Sequence, residues 1–446
     1  MSIENRESLA NLHEVVRGRV LLPSEEGFDL ARRPWNVAVE QQVRAVVEAA
    51  DEHDVAALVD YASRAGLSIS TQPNGHGATG SASGTILLRT GRLDGVEIDP
   101  AARRARIGAG VQSGSLQAAA AEHGLTGLPG SSPVVSVAGV ALGGGLSWFG
   151  RAFGWVADGV TAFEVVDAAG KARTVSAANE PDLFWALRGG GGDYAIVTAL
   201  EVELHEAPEL FGGRVLWPAS HARAVAEAFR SMTAAAPDEL TLWLELLHFP
   251  GAEPMVAIDS TYLGPEADAR SLLAEIDRLP EPLSDTRAAM SAAEIGTITG
   301  EPTDPSPGRS RAELLTHLDE AALGALLDEP ISPLMTVQVR HLGGALALGG
   351  DGPHGPLREP FAVYFFGSPA DPASSEAMAR KQRTFAEALP VSGRKPLSFL
   401  NPSEDLTDAL PGRSVERLRA IKERHDPAGT IRGNFAVPGT DGRSGS

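Results

Sequence analysis

The stretch Gln72-Pro73-Asn74-Gly75-His76-Gly77-Ala78-Thr79-Gly80 follows a short apolar extended run, Leu67 to Ser70, and decides how this 446-residue chain is read. Glycine has no Cβ, so its backbone reaches positive φ and approaches a ligand closely. An imidazole on such a turn can serve as a base, a metal ligand or a point of covalent attachment. Gly75-His76-Gly77-Ala78-Thr79-Gly80 also satisfies the letters G-x-G-x-x-G, with Asp99 near the distance of a ribose-binding acid. That fingerprint needs a helix opening at the glycines, so that pyrophosphate rests on its N-terminus. Ser81 to Thr85 and the β-prone Ile86-Leu87-Leu88 follow instead, which excludes it.

Two further glycine runs lie downstream. The first is Leu128-Pro129-Gly130-Ser131-Ser132-Pro133-Val134-Val135-Ser136-Val137-Ala138-Gly139-Val140-Ala141-Leu142-Gly143-Gly144-Gly145-Leu146-Ser147-Trp148. Three consecutive glycines make neither a good strand nor a good helix, and they read as bare backbone able to cradle a pyrophosphate. No Gly-Lys-Ser/Thr follows, so this is no nucleoside-triphosphate loop. The second, Arg188-Gly189-Gly190-Gly191-Gly192-Asp193-Tyr194-Ala195-Ile196-Val197, leads into a strand. One large phosphate-bearing cofactor touched by several backbone segments explains all three runs.

These motifs, with Asp182 to Gly192 and the C-terminal Arg417-Leu418-Arg419-Ala420-Ile421-Lys422-Glu423-Arg424-His425-Asp426-Pro427 closing on Arg432-Gly433-Asn434-Phe435, resemble the berberine-bridge-enzyme-like oxidases. That family lies in the FAD-binding superfamily that includes vanillyl-alcohol oxidase and para-cresol methylhydroxylase. The resemblance runs from residue 15 to residue 438. It implies FAD, with contacts from Asn74, Gly75, His76, Gly77, Ala78, Thr79 and Gly80 on the first loop. On the second run it implies Pro129, Gly130, Ser131, Ser132, Val135, Val137, Gly139, Leu142, Gly143, Gly144, Gly145 and Trp148. Asp158, Gly192, Asp193, Ala195, Ile196, Val197, Asn401 and Asn434 complete the set. Many relatives tether the flavin through a histidine and a cysteine. Ser132 stands at the cysteine's position here, so the resemblance implies a single bond from His76 to the flavin 8α-methyl. Val135 matches the position that gates oxygen in relatives, and a small residue there goes with molecular oxygen as acceptor. Ser136 replaces a glycine often found beside it.

Composition agrees with a globular protein. The net charge of −20 argues against nucleic acid and anionic membrane as partners. With no cysteine there is no disulfide, thiolate chemistry or cysteine metal site. Met1 to Glu7 lacks the apolar segment of a secretory signal, no stretch is long enough for a membrane span, and the expectation is cytoplasmic. No metal site is expected, since there is no His-Glu-x-x-His and His341 lies apart from His354. No Gly-x-Ser-x-Gly elbow occurs either. The oligomeric state stays open.

Periodicity predicts an α+β fold with an antiparallel sheet backed by helices in a substrate domain, and the resemblance implies a two-part FAD-binding domain with small mixed sheets beside it. The expected boundaries are 1–207 for the first FAD-binding part, 208–390 for the substrate-binding domain and 391–446 for a C-terminal segment returning to the first domain. Helices are expected over 54–65, 113–123, 219–235, 266–277 and 374–388. Strands are expected over 161–166, 198–204, 214–216, 240–247, 255–262, 334–339 and 362–366. Pro208 marks a break, 280–312 reads as a long loop or partly disordered insert, and Asp441 to Ser446 as a frayed tail.

Relatives often carry a Tyr-x-Asn-Tyr-like segment whose last tyrosine accepts a proton. The matching run here is Phe399-Leu400-Asn401-Pro402, and Pro402 has no ionisable group. Of the four tyrosines, Tyr262 and Tyr364 lie on the presumed substrate sheet, with Tyr364 preferred; Glu245 and His341 are further candidate bases. A base that removes a heteroatom proton eases hydride transfer to flavin N5 by about 10²–10⁴-fold. The expected function is oxidation of a small, secondary-metabolite-like substrate. A non-oxidative cyclase, a flavin hydroxylase or a ligand-sequestering resistance protein is the alternative that Pro402 keeps open.

Overall fold

Asp51 starts the first long helix. Its side chain accepts the Asp54 N–H at 3.2 Å, Glu52 and Asp54 occupy the first turn, and Gly66 closes the end at φ +63°. Cap, acidic first turn and left-handed glycine are the local signals that delimit a helix. In the computed structural model, which describes Leu9 and residues 11–207 and 209–439, this helix, Glu52–Ala65, buries Val55, Leu58, Val59 and Ala62 against a four-stranded sheet. The strand order is Arg19–Leu21, Ala45–Glu48, Ile86–Arg89, Ile69–Thr71. The first pairing is antiparallel and the others are parallel. Turns, and no helix, join the His76 loop to Ile86–Arg89.

A second sheet, five-stranded and antiparallel, runs Val96–Asp99, Arg104–Gly108, Ile196–Glu203, Val160–Val166, Ala172–Ser176. Helices Ser113–Ala121, Val137–Leu142, Pro181–Leu187 and Gly412–His425 share its core. The third sheet is eight-stranded and antiparallel. Its main strands follow the order Leu210–Pro218, Met255–Leu263, Leu240–Leu247, Thr336–His341, Phe361–Gly367, Arg309–Leu315. Helices Ala222–Ala235, Glu320–Leu327 and Pro372–Ala388 cover one face, where Val215, Leu244, Ile258, Val339 and Phe365 meet Phe229, Leu323 and Phe385. This is the mixed α+β architecture expected.

The chain end folds back onto the first sheet. Ile69 N–H donates to Thr430 O at 2.7 Å and Arg432 N–H to Ile69 O at 2.8 Å. Lys422, nearly buried, fixes that return by donating to Asp426 at 2.8 Å and to the carbonyls of Asp193 and Ile431, each at 2.6 Å.

Two expectations need correction. Residues 280–312 are neither a plain loop nor disordered. They hold strands Ser284–Asp285 and Ala288–Ala289, a 3-10 turn Ala292–Thr297 capped by Ser291 and Glu294, and the start of Arg309–Leu315. Three buried apolar residues there, Ala292, Ile295 and Ile298, join the cluster of Trp148 and Trp243, which orders the segment. The 129–148 run also holds a helix, Val137–Leu142 capped by Ser136, which was not among those expected. The Met1–Glu7 segment, Pro208 and Asp441–Ser446 lie outside the described residues. Among the described residues no helix is long and apolar enough to cross a membrane.

Candidate active site

The three glycine runs do meet. Asn74 Nδ2 donates to Val134 O at 2.7 Å, joining the His76 loop to the second run, and Gly191 N–H donates to Leu142 O at 2.8 Å, joining the second to the third. Asn434 clamps the first loop from the chain end: its Oδ1 accepts from Thr79 N at 3.2 Å and Thr79 Oγ1 at 3.0 Å, and its Nδ2 donates to Gly77 O. His76 lies flat against Trp35, ring centroids 4.3 Å apart at 16°. Both of its ring nitrogens are shielded from solvent and have no hydrogen-bond partner, as does the hydroxyl of Ser132. Burial lowers the His76 pKa to about 4, so the ring is neutral at pH 7.

An FAD would have to fill space that protein leaves open, and the glycines divide on this test. A Cβ at Gly139 or Gly191 would meet nothing within 4 Å; at Gly130 and Gly77 the nearest atom is at 3.9 Å. These positions, the unpartnered His76 nitrogens and the Ser132 hydroxyl suit an adjacent cofactor. Gly143, Gly144 and Gly145 do not. Added Cβ atoms would strike Ser398 at 3.2 Å, the His354 ring at 2.6 Å and Val140 at 2.4 Å. His354 fills the gap between Gly144 and Gly189, and burial drives its pKa to about 3. On the side where a Cβ would stand, the triple glycine admits a buried imidazole and a tight turn. Gly75 is likewise held at φ +79° against Pro34, and Gly80 at φ +89° with a Cβ position 3.2 Å from Glu40 O.

Other expected cofactor residues are spent on protein. Asp193 accepts from the Gly433 and Val437 N–H groups, the latter at 3.0 Å. Asp158 pairs with Arg188 at 3.3 Å. Asn401 Oδ1 takes Ser403 N at 2.9 Å and Ser403 Oγ at 2.6 Å in a local turn. Trp148 is fully buried and stacks on Trp243 at 3.5 Å. Ser136 donates to Ala109 O at 2.9 Å besides capping its helix. Pro129 O receives Trp148 N at 2.9 Å. Val137, Ala195 and Val197 are core residues, and Ile196 packs beneath the first sheet.

The large sheet turns its helix-free face toward this half of the molecule: Trp243 meets Trp148, and Leu314 and Ala362 share a cluster with Leu146 and Trp155. Opposed residues in the register share a face, and the face alternates along each strand. Trp243, Glu245, Asp259, Arg214, Gln338, Arg340, Ala362 and Tyr364 therefore stand together. Arg214 donates to Asp259 at 2.6 and 2.7 Å and to Glu245 at 2.8 Å. Gln338 donates to Glu245 and accepts from Arg340 Nε at 2.7 Å. The Arg340 guanidinium stands 4.0 Å from the Trp243 ring centre, 5.0 Å from Phe399 and 5.6 Å from Tyr364.

Tyr364 and Glu245 are thus on one face, and Tyr262 and His341 are on the other. Tyr262 pairs with Phe211 and Leu240 and packs toward the helices. His341 binds Arg151 at 3.0 Å, and burial helped by that arginine lowers its pKa to about 3. Strand parity removes both from the candidate site. Desolvation, then the Asp259 charge, raises the Glu245 pKa, because two buried carboxyls share one guanidinium. Burial also raises the Tyr364 pKa, while Ser310 and Arg340 oppose the rise. Sequence reading passed over Arg340, Gln338 and Asp259. The signal was present: Val337-Gln338-Val339-Arg340 alternates, placing two polar groups on one face and His341 on the other. No group of metal-ligating side chains occurs among the described residues.

A flavin cradle beside a polar sheet face defines a class, the flavin-dependent oxidoreductases. Residues 43–176 match the family described as FAD binding domain. The chain is 29% identical to the (R)-6-hydroxynicotine oxidase of Paenarthrobacter nicotinovorans, over 95% of this chain and 97% of that one. The crystal structure of 6-hydroxy-D-nicotine oxidase from Arthrobacter nicotinovorans superposes with a TM-score of 0.82 at 27% identity, covering 95% and 98% of the two chains. A berberine-bridge-enzyme-like protein of Physcomitrella patens shares the fold, with a TM-score of 0.83 at 20% identity over 97% and 98%. Residues 43–176 thus carry an FAD-binding domain, the chain is similar over nearly its whole length to an FAD-linked oxidase, and it is an FAD-dependent oxidoreductase.

Proposed function

We propose that the enzyme oxidises a small organic substrate at a carbon bearing an alcohol or amine, with FAD held by one bond from His76 and molecular oxygen as final acceptor. When bound, FAD supplies the hydride acceptor. The observation that carries the reading is His76, whose shielded ring nitrogens lack partners and whose pKa is lowered to about 4. A neutral imidazole offers a lone pair for bond formation, and stacking on Trp35 fixes its plane. Ser132 offers no thioether, so one attachment is expected.

Tyr364 is the preferred proton-handling group. It keeps part of its surface open beside Arg340 and holds its phenol proton at Oη. Glu245 is taken as a brace, since both its oxygens are engaged by Arg214 and Gln338. Residues 1–207 and 391–446 are read as the FAD-binding part and 208–390 as the substrate-binding part. The long sheet, whose main strands span Leu210 to Gly367, supports that division. Val135 and the oxidase name of the relative support oxygen as acceptor. Net charge −20 and the lack of cysteine support a cytoplasmic setting.

The test is anaerobic. Candidate amines and alcohols are mixed with the purified protein and the flavin band is followed, after which air is admitted. Bleaching by substrate, followed by recovery with peroxide formation, is expected. Bleaching without recovery in air would remove oxygen as acceptor. No bleaching by any candidate, in a protein that dithionite reduces, would favour a non-oxidative role.

A further inference from the structure

Arg340 and Arg151 are the arginines buried to 5% exposure, and their surroundings differ. Arg151 donates to the carbonyls of Leu240 at 2.9 Å, Ala236 at 3.1 Å, Pro237 at 3.2 Å and Leu342, which disperses its charge. Arg340 has one hydrogen bond, from Nε to Gln338. No carboxylate lies within 4.0 Å of it and no acceptor meets Nη1 or Nη2 among the described residues. The two carboxyls on its sheet face, Glu245 and Asp259, are committed to Arg214. Glu301, without touching it, exerts the largest favourable charge effect on Arg340, ahead of Glu245 and Asp259, and does not offset the desolvation. A buried guanidinium without a counter-ion is costly, and such a cost persists where a ligand is to meet it.

The chemistry of that ligand follows from the free edge and the walls. Gln338, itself braced by Glu245, holds the guanidinium by Nε and leaves the two-pronged Nη edge, whose geometry suits a carboxylate. Trp243, Phe399 and Tyr364 surround it with aromatic surface, which suits a planar apolar body. We propose that Arg340 is the recognition point for the carboxylate of an aromatic or similarly planar substrate, bound on the Tyr364 face of the sheet. This rests on the reading of that face as the substrate site. Arg340 binds and orients; it moves no proton.

The experiment uses the flavin-loaded protein, with benzoate as probe and benzamide as its neutral isostere. Both are titrated while the flavin spectrum and the melting temperature are followed. Benzoate is expected to perturb the spectrum and raise the melting temperature at concentrations at least tenfold below those benzamide needs. Arg340→Met should weaken benzoate binding by about thirtyfold or more, leave benzamide unchanged and raise the melting temperature of the free protein. Glu301→Gln should tighten benzoate. Equal binding of the two probes, or an Arg340→Met protein that melts lower while still binding benzoate, would overturn the proposal. Benzoate discrimination in a protein that carries FAD but oxidises no amine or alcohol would leave the carboxylate site standing and overturn only the reaction proposed above.

Discussion

His76 shows how much one side chain can carry. Its glycine setting was legible because positive φ at Gly75 and Gly80 is a backbone requirement written directly in residue type. What no sequence shows is that both ring nitrogens end without partners. His76→Ala is expected to fold and to keep FAD only by non-covalent contacts. Dialysis against chaotropic salt should then strip the variant and leave the parent yellow. Tyr364→Phe should lower kcat by about 10²–10⁴-fold with flavin content unchanged, the range for a positioned proton donor or acceptor. A loss below tenfold would return Tyr364 to the role of an aromatic wall. Arg340 was missed for a physical reason: its meaning lies in the absence of a counter-ion, and absence is a property of the folded surroundings.

At the scale of elements, periodicity located most of the strands on which the site is built. Leu240–Leu247 matches its expected limits because leucines alternate with Thr241, Trp243 and Glu245 in a short run flanked by Pro237 and Pro250. The 280–312 segment was misread because its Ser, Pro and Gly content hides three buried anchors, Ala292, Ile295 and Ile298. One reason for the triple glycine was not legible, because small residues accept a ligand or a neighbouring side chain equally well, and His354 arrives from a distant part of the chain that nothing local announces. The return of the helix Gly412–His425 depends on Lys422, an ammonium shared by one carboxylate and two carbonyls. Lys422→Met leaves Asp426 buried without its counter-charge, held only by the Thr430 and Ile431 N–H groups, and chemical denaturation should show a loss of about 3–5 kcal/mol. A change under about 1 kcal/mol would mean that the chain end is held by packing alone.

Across the whole molecule, burial lowers the pKa of four histidines: His76 and His205 to about 4, His341 and His354 to about 3. Unfolded, each takes up a proton near pH 6.5, and the folded protein resists until much lower pH. The unfolded state therefore binds more protons across that window, so stability falls as pH falls from about 6.5 toward 3. Glu245, with its raised pKa, acts in the opposite sense on the alkaline side of its ordinary value, but it is one group against His205, His341 and His354, with His76 joining them where no flavin is bonded to it. A tenfold change in a group's proton affinity on folding corresponds to about 1.4 kcal/mol, and whole-domain stability is only about 5–15 kcal/mol. The melting temperature should drop steeply below pH 6.5 and change only gently from pH 7 to 8. A melting temperature flat from pH 7 to 5 would contradict the buried, neutral histidines. The central proposal joins all three scales: a neutral imidazole, converging glycine runs and a returning chain end would serve one covalently held FAD. Its most direct test is the intact mass and colour of the acid-denatured, washed polypeptide. A yellow chain heavier by one FAD, with the adduct mapped to His76, is the predicted result. A colourless chain of unmodified mass, with FAD recovered in the supernatant, would contradict it.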